Sequence, residues 1–284
     1  MVQVVRVVDS SNNEYVLEAV TPSTDIDVLS KKQFEQPISA LGEMMQFLNV
    51  KHLSELSHMI RVTDKGKPAS PSWIQVYREL VEWAILFHIV RKKDFGTDTI
   101  IVFDGLLRSK VFSKDLFKRL IEGLWHEVEN IQKTKKRNIY ITGVAKHSKV
   151  LSRYRLVMAL EKVMNLKYPC FLEIPREIEE KAYVWSEYAK GNLDEKEGAE
   201  ISKFVGGKMF FVKFGGNLND PIWPVDILEY QEDKAGTVIG YMLADAINGF
   251  PVPFYPLCLQ KAHENAALVD FDFDILQDQI YKAI

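Results

Sequence analysis

The sequence Thr99-Ile-Ile-Val-Phe-Asp-Gly105 is a short, continuous apolar run that ends in a turn dipeptide. Such a run is typical of a strand that is buried on both faces, in a sheet flanked by helices. The pattern recurs from Asn138 to Val144, after a helical stretch from about Ser113 to Lys133. A second helical stretch follows from Val150 to Met164. This order of strand, helix, strand and helix predicts an α/β domain.

On the N-terminal side, the residues predict a hairpin followed by helices. The stretch from Val2 to Val8 is rich in β-branched residues and ends in a polar turn. A second strand is predicted from Tyr15 to Val20. Apolar residues at helical spacing from Gln36 to Met59 predict two short helices. Ser72 is expected to cap a longer helix from Trp73 to about Arg91.

On the C-terminal side, two further strands and two further helices are predicted. They cover Met209 to Phe214, Val225 to Tyr230, about Lys234 to Ile247, and Leu257 to Leu268. No repeat, low-complexity segment or long linker interrupts the chain. We therefore expect one domain over residues 1–284, with a mixed sheet that begins with the hairpin.

The composition is that of a folded protein and excludes several classes. Of the 284 residues, 47% are hydrophobic, and 36 Lys+Arg stand against 39 Asp+Glu. The apolar run Trp83 to Val90 is far shorter than the roughly 18 residues that a membrane span needs. No export signal opens the chain, so a cytoplasmic location is expected. Two cysteines, Cys170 and Cys258, are too few for a disulfide framework or a cysteine-based zinc site.

Several catalytic motifs are absent from the sequence. It has no Gly-x-x-x-x-Gly-Lys-Ser/Thr loop and no Gly-x-Gly-x-x-Gly after a strand, which excludes a P-loop nucleotide site. It also lacks a Gly-x-Ser-x-Gly elbow and a His-Glu-x-x-His helix, so serine hydrolase and zincin chemistry lose their main support.

Carboxylates at strand ends are the candidates for chemistry that remain. Asp9 and Asp104 each end a predicted strand, and in an α/β sheet both can meet at the edge where ligands bind. Each can equally be an ordinary turn residue. Glu79 and Glu82 lie near one face of the helix from Trp73, and Glu82 is embedded in apolar sequence. Such a glutamate needs a partner, which is either a metal ion or Arg78 one turn earlier.

A histidine near the C-terminus extends this set. His263 lies at the centre of the predicted helix from Leu257, where a lone histidine is more often structural. Together with Asp9, Glu82 and Asp104, it gives three carboxylates and one imidazole. These ligands suit Mn²⁺ or Mg²⁺ better than zinc. Two such ions can hold an attacking water and a leaving oxygen in line across a phosphodiester.

The net charge of −3 gives no overall signal for nucleic-acid binding, but basic residues cluster locally. The densest run is Lys133 to Arg137, and Lys146, Lys149, Arg153 and Arg155 follow it. The run is either a phosphate-binding patch or a solvated helix end before a strand.

At this point the sequence resembles the NurA family of nucleases. The matching motifs are short, occur in the family's order and span most of the chain: Val7-Val8-Asp9-Ser10-Ser11, Arg78-Glu79-Leu80-Val81-Glu82, Val102-Phe103-Asp104-Gly105-Leu106-Leu107, Gly143-Val144-Ala145-Lys146-His147-Ser148-Lys149, and Gly249-Phe250-Pro251-Val252-Pro253 running into Ala262-His263-Glu264.

The resemblance implies an RNase H-like mixed sheet flanked by helices, a fold shared with the catalytic domain of Argonaute proteins. It implies a metal-dependent deoxyribonuclease, acting as exonuclease, endonuclease or both, with Mn²⁺ or Mg²⁺. Asp9, Glu82, Asp104 and His263 would bind the metal ions and, with Lys146 near the scissile phosphate, form the catalytic set. It also implies a homodimer that works on DNA with a hexameric HerA-type ATPase, in repair or in phage defence.

Departures from the family pattern keep a second hypothesis open. Ser10 stands where the family has glycine, and Pro224-Val225-Asp226 stands where it has Arg-x-Glu, so that Asp226 is at best a shortened substitute. The alternative is an RNase H-like adaptor that docks on the ATPase or on nucleic acid without cutting. The charged segment from Glu173 to Glu200 is either a docking surface or a solvated helical insertion.

Three further side chains each allow two interpretations. Arg108, four residues after Asp104, either contacts phosphate or caps the turn. Trp223 and Phe214 flank a turn-rich loop, and they either stack on bases or belong to the core.

Overall fold

A computed structural model gives the structure of the chain. It describes residues 6–8, 14–16, 20–35, 39–188, 203–246 and 254–266. Asp9 and Ser10 lie outside the described residues, so the prediction that Asp9 is a metal ligand stays a prediction.

The secondary structure confirms the α/β class. The strands are β1 (Arg6–Val8), β2 (Glu14–Val16), β3 (Thr99–Asp104), β4 (Ile139–Val144), β5 (Cys170–Glu173), β6 (Gly207–Lys213) and β7 (Ile222–Leu228). The helices are α1 (Ile26–Glu35), α2 (Ala40–Leu48), α3 (Leu53–Leu56), α4 (Trp73–Lys92), α5 (Leu116–Lys135), α6 (Lys149–Leu160), α7 (Arg176–Tyr188), α8 (Ala235–Ala246) and α9 (Leu257–Ala266), and a 3-10 segment covers Glu229–Lys234.

Five strands form one open, mixed sheet in the order β3-β4-β7-β6-β5. β3 and β4 are parallel, whereas β4 with β7, β7 with β6, and β6 with β5 are antiparallel. The parallel pair is joined through α5, as a parallel connection requires. Among the described strands, β3 has a neighbour on one side only, so one edge of its backbone is free.

The expectation that the hairpin leads this sheet was wrong for the described residues. β1 and β2 pair with each other in a separate two-stranded sheet, with Arg6 opposite Val16 and Val8 opposite Glu14. In this arrangement each three-residue strand takes its ladder hydrogen bonds from the other strand of the hairpin rather than from β3.

The largest core lies between the sheet and the helices α2, α4 and α5. α4 begins at Trp73 as predicted, although the Ser72 side chain does not cap it and its hydroxyl pairs with that of Ser70. The α4 side chain Trp83 stacks on Phe103 of β3 with ring centroids 4.8 Å apart. Full burial of a large apolar side chain contributes roughly 1.5–3 kcal/mol, so this packing fixes α4 against β3.

The other face of the sheet is covered by α8 and α9. Side chains along a strand alternate between faces, so Ile101 and Phe103 point to the α4 side while Ile100 and Val102 point to the α8 side. Asp104 continues the even-numbered series and therefore faces α9. The result is a three-layered arrangement of helices, sheet and helices.

Two elements were not anticipated from the sequence, α1 and β5, whereas α7 agrees with the helical alternative for the segment from Glu173 to Glu200. β5 forms the far edge of the sheet, and α7 occupies the beginning of the Glu173 to Glu200 segment. α6 and α7 cover a third, small core that includes Val150, Met158 and Phe211. No helix in the described part of the chain is both long enough and apolar enough to traverse a bilayer.

Candidate active site

The candidate site lies at the carboxyl end of β3. Asp104 is the last residue of the strand, and its side chain is 52% exposed. The turn that follows passes directly over Gly143 of β4, where a Cβ would collide with the carbonyl oxygen of Gly105. Gly105 itself has φ +136°, a conformation that other residues rarely adopt. The two glycines therefore fix the direction in which the chain leaves Asp104.

Two residues from the α9 region bind the Asp104 carboxylate. His263 Nε2 lies 2.7 Å from Oδ2, and the Tyr255 hydroxyl donates to Oδ1 over 3.2 Å. Tyr255 precedes α9 and is almost fully buried, whereas His263 is 40% exposed. Burial, followed by the charge and hydrogen bond of Asp104, raises the pKa of the Tyr255 hydroxyl, so it remains a donor at neutral pH.

Lys146 completes this group. It follows β4, and its Nζ lies 3.3 Å from His263 Nδ1 and 5.2 Å from the centroid of the Tyr255 ring. An ammonium can only donate, so Nδ1 of His263 accepts and its Nε2–H donates to Asp104. The network thus assigns one neutral tautomer to His263.

Glu82 of α4 interacts with this group through charge alone. It forms an ion pair with Arg78 at 3.4 Å, as the sequence allowed, and its side chain is 43% exposed. Burial raises the pKa of Glu82, the charge of Arg78 lowers it, and repulsion from Glu79 and Asp104 raises it further. Glu82 therefore lies within electrostatic reach of Asp104.

Glu79 has a different environment. It accepts a short hydrogen bond from the hydroxyl of Ser109, which is 3% exposed, and burial raises its pKa. Of the two candidate glutamates, Glu79 thus has a fixed partner in the protein. Glu82 has only a surface ion pair, which leaves it the more available to a ligand.

The donor types at this site suit a hard divalent cation, but the described residues do not complete a ligand set. Asp104 and His263 are in contact, and the Glu82 carboxylate repels that of Asp104, which is the disposition that a cation between them would relieve. Within the described ranges, no group of three or more His, Cys, Asp or Glu side chains has metal-binding geometry. The fourth predicted ligand, Asp9, lies outside those ranges.

A second polar cluster lies beside the first and is buried. Arg108 donates three hydrogen bonds to Asp226 of β7, from Nε to Oδ2 at 3.0 Å and from Nη2 to Oδ1 and Oδ2 at 2.6 Å each, and also pairs with Glu179 of α7. Arg176 donates to Glu179 at 2.9 Å. Asp226 and Glu179 are 0% and 1% exposed. The Arg108 side chain therefore does not cap the turn, and its contact with phosphate stays a prediction.

The other residues predicted to contact nucleic acid are either buried or lie at the opposite end of the sheet. Trp223 and Phe214 are buried in the core beneath α8, so the interpretation that they stack on bases was wrong. The run Lys133 to Arg137 precedes β4 and so lies at the end of the sheet opposite Asp104. Its Lys133 and Lys135 pair with Glu129 and Asp94, which favours a solvated helix end.

The structure thus brings three of the five predicted site residues into contact, namely Asp104, Lys146 and His263, and Glu82 interacts with Asp104 through charge alone. It adds Tyr255, which sequence reasoning missed. The available signal was its position directly before Pro256 and the start of α9, the helix that carries His263.

Neither a protein-family model, nor a curated protein, nor a solved structure gives a significant match to this chain.

Proposed function

We propose that the protein is a divalent-metal-dependent DNA nuclease of the NurA type, with an RNase H-like fold in a single domain over residues 1–284. The observation that carries the proposal is the meeting of Asp104, His263 and Lys146 at one sheet edge, with Glu82 in electrostatic reach. These residues come from four segments of the chain, and the resemblance implies their roles independently of their distance in space.

Each described side chain has a task that its position allows. The carboxylates of Asp104 and Glu82 would hold Mn²⁺ or Mg²⁺. The His263 imidazole would serve as the nitrogen ligand through Nε2 by taking the Nδ1–H tautomer, which gives up its hydrogen bonds to Asp104 and Lys146. When bound, the cations would supply activation of the attacking water and stabilisation of the leaving oxygen. Lys146 is exposed, so its ammonium can neutralise a phosphate of the DNA backbone.

Tyr255 acts on Asp104 rather than on the substrate. Its hydroxyl fixes the orientation of the carboxylate, and its ring holds the ammonium of Lys146. Hydrogen-bond partners of a metal ligand commonly affect metal affinity and activity in this way.

The RNase H-like part of the proposal concerns the free edge of β3. A strand added there parallel to β3 would end beside Asp104, because parallel strands end at the same edge of a sheet. The apolar residues of β3 are only half-buried, which leaves room for such a neighbour.

The proposed partners follow the resemblance. The protein would form a homodimer and process DNA ends together with a HerA-type hexameric ATPase, in repair or in phage defence. A net charge of −3 fits an enzyme whose hold on DNA depends partly on such a translocase.

One observation favours the second candidate, a catalytically inactive adaptor. Both oxygens of Asp104 already accept hydrogen bonds within the protein, one from Tyr255 and one from His263. In an adaptor, this network would be the final state of the site and no cation would enter it.

Cleavage of end-labelled linear DNA distinguishes the nuclease from the adaptor. We expect cutting by the full chain with Mn²⁺ or Mg²⁺, none with EDTA, and at least about a hundredfold loss in Asp104→Asn. The matched control is Asp94→Asn, because Asp94 is 87% exposed and precedes the opposite end of β3. The assay is run with and without a co-expressed HerA-type ATPase. No cutting by folded wild-type protein under any condition would favour the adaptor, and equal cutting by Asp104→Asn would refute the site.

A further inference from the structure

A cavity of about 210 Å³ lies between β3, α8 and the start of α9, beside the candidate active site. Most of its lining is apolar and includes Ile100, Val102, Met242 and Leu259. Helix α8 contributes two polar side chains to the lining, Tyr241 and Asp245, which lie one turn apart on the same face of the helix. An apolar cavity with a few polar side chains is the usual form of a site for a small organic group.

The cavity adjoins the group around Asp104 through two elements. Val102 precedes Asp104 by two residues and points to the same face of the sheet, so their Cα atoms are about 7 Å apart. Ala262, which also lines the cavity, directly precedes His263 on α9. A nucleotide whose phosphate lies at Asp104 therefore has its base within reach of the cavity.

The volume of the cavity suits one base rather than a whole nucleotide. It is several times the roughly 30 Å³ that a water molecule takes up, and it is smaller than the roughly 300 Å³ at which sites for drug-sized ligands begin. A base within a duplex can enter such a cavity only after it gives up its stacking and pairing. The base that fits is therefore one that is unpaired or flipped out.

Tyr241 provides an aromatic ring at this cavity. The ring packs beside Tyr140 of β4 with centroids 6.3 Å apart, and 54% of the residue remains exposed. Aromatic side chains of this kind stack on the bases of single-stranded nucleic acid, with little preference among the four bases because each has a π-face. Tyr241 can therefore supply affinity for a base but not selectivity.

Asp245 supplies an acceptor that can select among bases. Its Oδ2 accepts the backbone N–H of Cys258 at 3.0 Å, which fixes the carboxylate. In the part of the chain that the structure describes, no lysine or arginine pairs with Asp245. An ionised carboxylate only accepts hydrogen bonds, and it has lone pairs for more than one donor. It therefore favours the amino groups of cytosine, adenine and guanine, and it repels the carbonyl oxygens on either side of the thymine N–H.

We propose that this cavity is a base pocket, which binds one unpaired base of the DNA while the adjoining phosphate lies at Asp104. Tyr241 stacks on the base, and Asp245 selects a base with an amino group over thymine. The base pocket rests on the proposed function, because DNA is taken as the ligand. It adds the form of DNA that enters the site and the bases that the site favours.

The test is equilibrium binding of fluorescently labelled single strands of about twelve nucleotides to the purified full chain. Anisotropy is measured in EDTA, so that no metal-dependent cleavage occurs, and at one fixed ionic strength. We expect oligodeoxycytidine to bind at least about tenfold more tightly than oligothymidine.

Variants of the two polar side chains separate their roles. Asp245→Asn should bring the ratio of the two affinities close to one, because an amide both donates and accepts. Tyr241→Ala should weaken the binding of both strands at least about fivefold. Asp94→Asn and Tyr168→Ala are the matched controls, since these residues are 87% and 58% exposed on other elements.

Equal affinity of the wild type for the two strands would overturn the proposal, as would a ratio that Asp245→Asn leaves unchanged. Photocrosslinking of the wild type provides a second measurement if the variants do not fold. Oligodeoxycytidine that carries 5-iodocytosine should form its adduct at Tyr241. Adducts on other residues alone would overturn the proposal, and would indicate that the cavity takes an apolar group of this chain or of another protein.

Because the readout is binding, the base pocket and the proposed function can fail separately. DNA cleavage without base preference in binding refutes the base pocket alone. Base-selective binding without cleavage supports the base pocket and refutes the nuclease.

Discussion

Two polar clusters, each built around an aspartate on a sheet strand, differ in how their charges are satisfied. In the buried cluster, the two buried carboxylates of Asp226 and Glu179 are paired with the two guanidiniums of Arg108 and Arg176, and Arg176 also reaches the exposed Glu229 at 3.4 Å. Little of this cluster reaches solvent. Its interactions are complete within the protein, which marks it as structural.

The open cluster around Asp104 has the opposite character. Glu82 and Asp104 repel one another, and the side chains of Asp104 and His263 are about half exposed. Carboxylates that the protein leaves accessible to solvent are a feature of sites that bind a cation. We therefore expect the charged groups around an aspartate, rather than its place on a strand, to separate a structural aspartate from a functional one.

The largest expected effect comes from breaking the buried cluster. Arg108→Met keeps much of the side-chain volume but leaves Asp226 and Glu179 without their partner. Removing one member of a buried ion pair typically costs about 3–5 kcal/mol of unfolding free energy. Urea denaturation measures this loss. Lys31→Met, which removes an exposed pair with Glu35, is the control and should leave stability nearly unchanged. A small loss in Arg108→Met would contradict a structural role.

A smaller effect is expected from loosening the open cluster. Tyr255→Phe removes the hydrogen bond to Asp104 and keeps the ring beside Lys146. We expect Mn²⁺ affinity and Mn²⁺-dependent cleavage to fall about tenfold, as for other partners of a metal ligand. Thermal unfolding should show that the variant folds. If affinity and cleavage both match the wild type, Tyr255 has no part in the site.

The smallest effect is a change of stability with pH. The folded-state pKa of Glu82 is raised, so its contribution to stability is present at low pH and is lost as pH rises through that pKa. Without metal, Glu82→Gln should therefore be more stable than wild type at pH 7, by less than about 1 kcal/mol because the side chain is 43% exposed. The gain should vanish near pH 4.

Denaturation at both pH values in EDTA measures this gain. Glu129→Gln, which removes an exposed carboxylate on α5, should show no such dependence. Added Mn²⁺ should remove the advantage of Glu82→Gln, because a bound cation favours the native carboxylate. A variant less stable than wild type at pH 7 without metal would indicate that Glu82 belongs to a satisfied cluster like that of Asp226.

Much of the fold was predictable because it follows from local patterns. β3 and β4 are continuous apolar runs, and α4 has helical spacing, so each was found from its own residues. β5 was not, since Cys-Phe-Leu-Glu is short and largely exposed. The strand order was also beyond local reasoning, because it depends on contacts between distant segments.

The prediction of the candidate site was also limited by contacts between residues that are distant in the sequence. Asp104 and His263 were found by residue type, although their contact joins positions 159 apart in the chain. The role of Arg108 was missed because its partner Asp226 is 118 positions away. Residue chemistry thus predicted which side chains could act, and only the folded chain showed which of them are already satisfied.

The most direct test of this account is a Mn²⁺ titration of the purified chain, followed by the electron paramagnetic resonance signal of free Mn²⁺. We predict saturable binding by the wild type and by Asp94→Asn, and at least about a hundredfold weaker binding by folded Asp104→Asn. Wild-type protein that leaves the Mn²⁺ signal unchanged, or Asp104→Asn that binds as the wild type does, would contradict the assignment of the open cluster as a metal site.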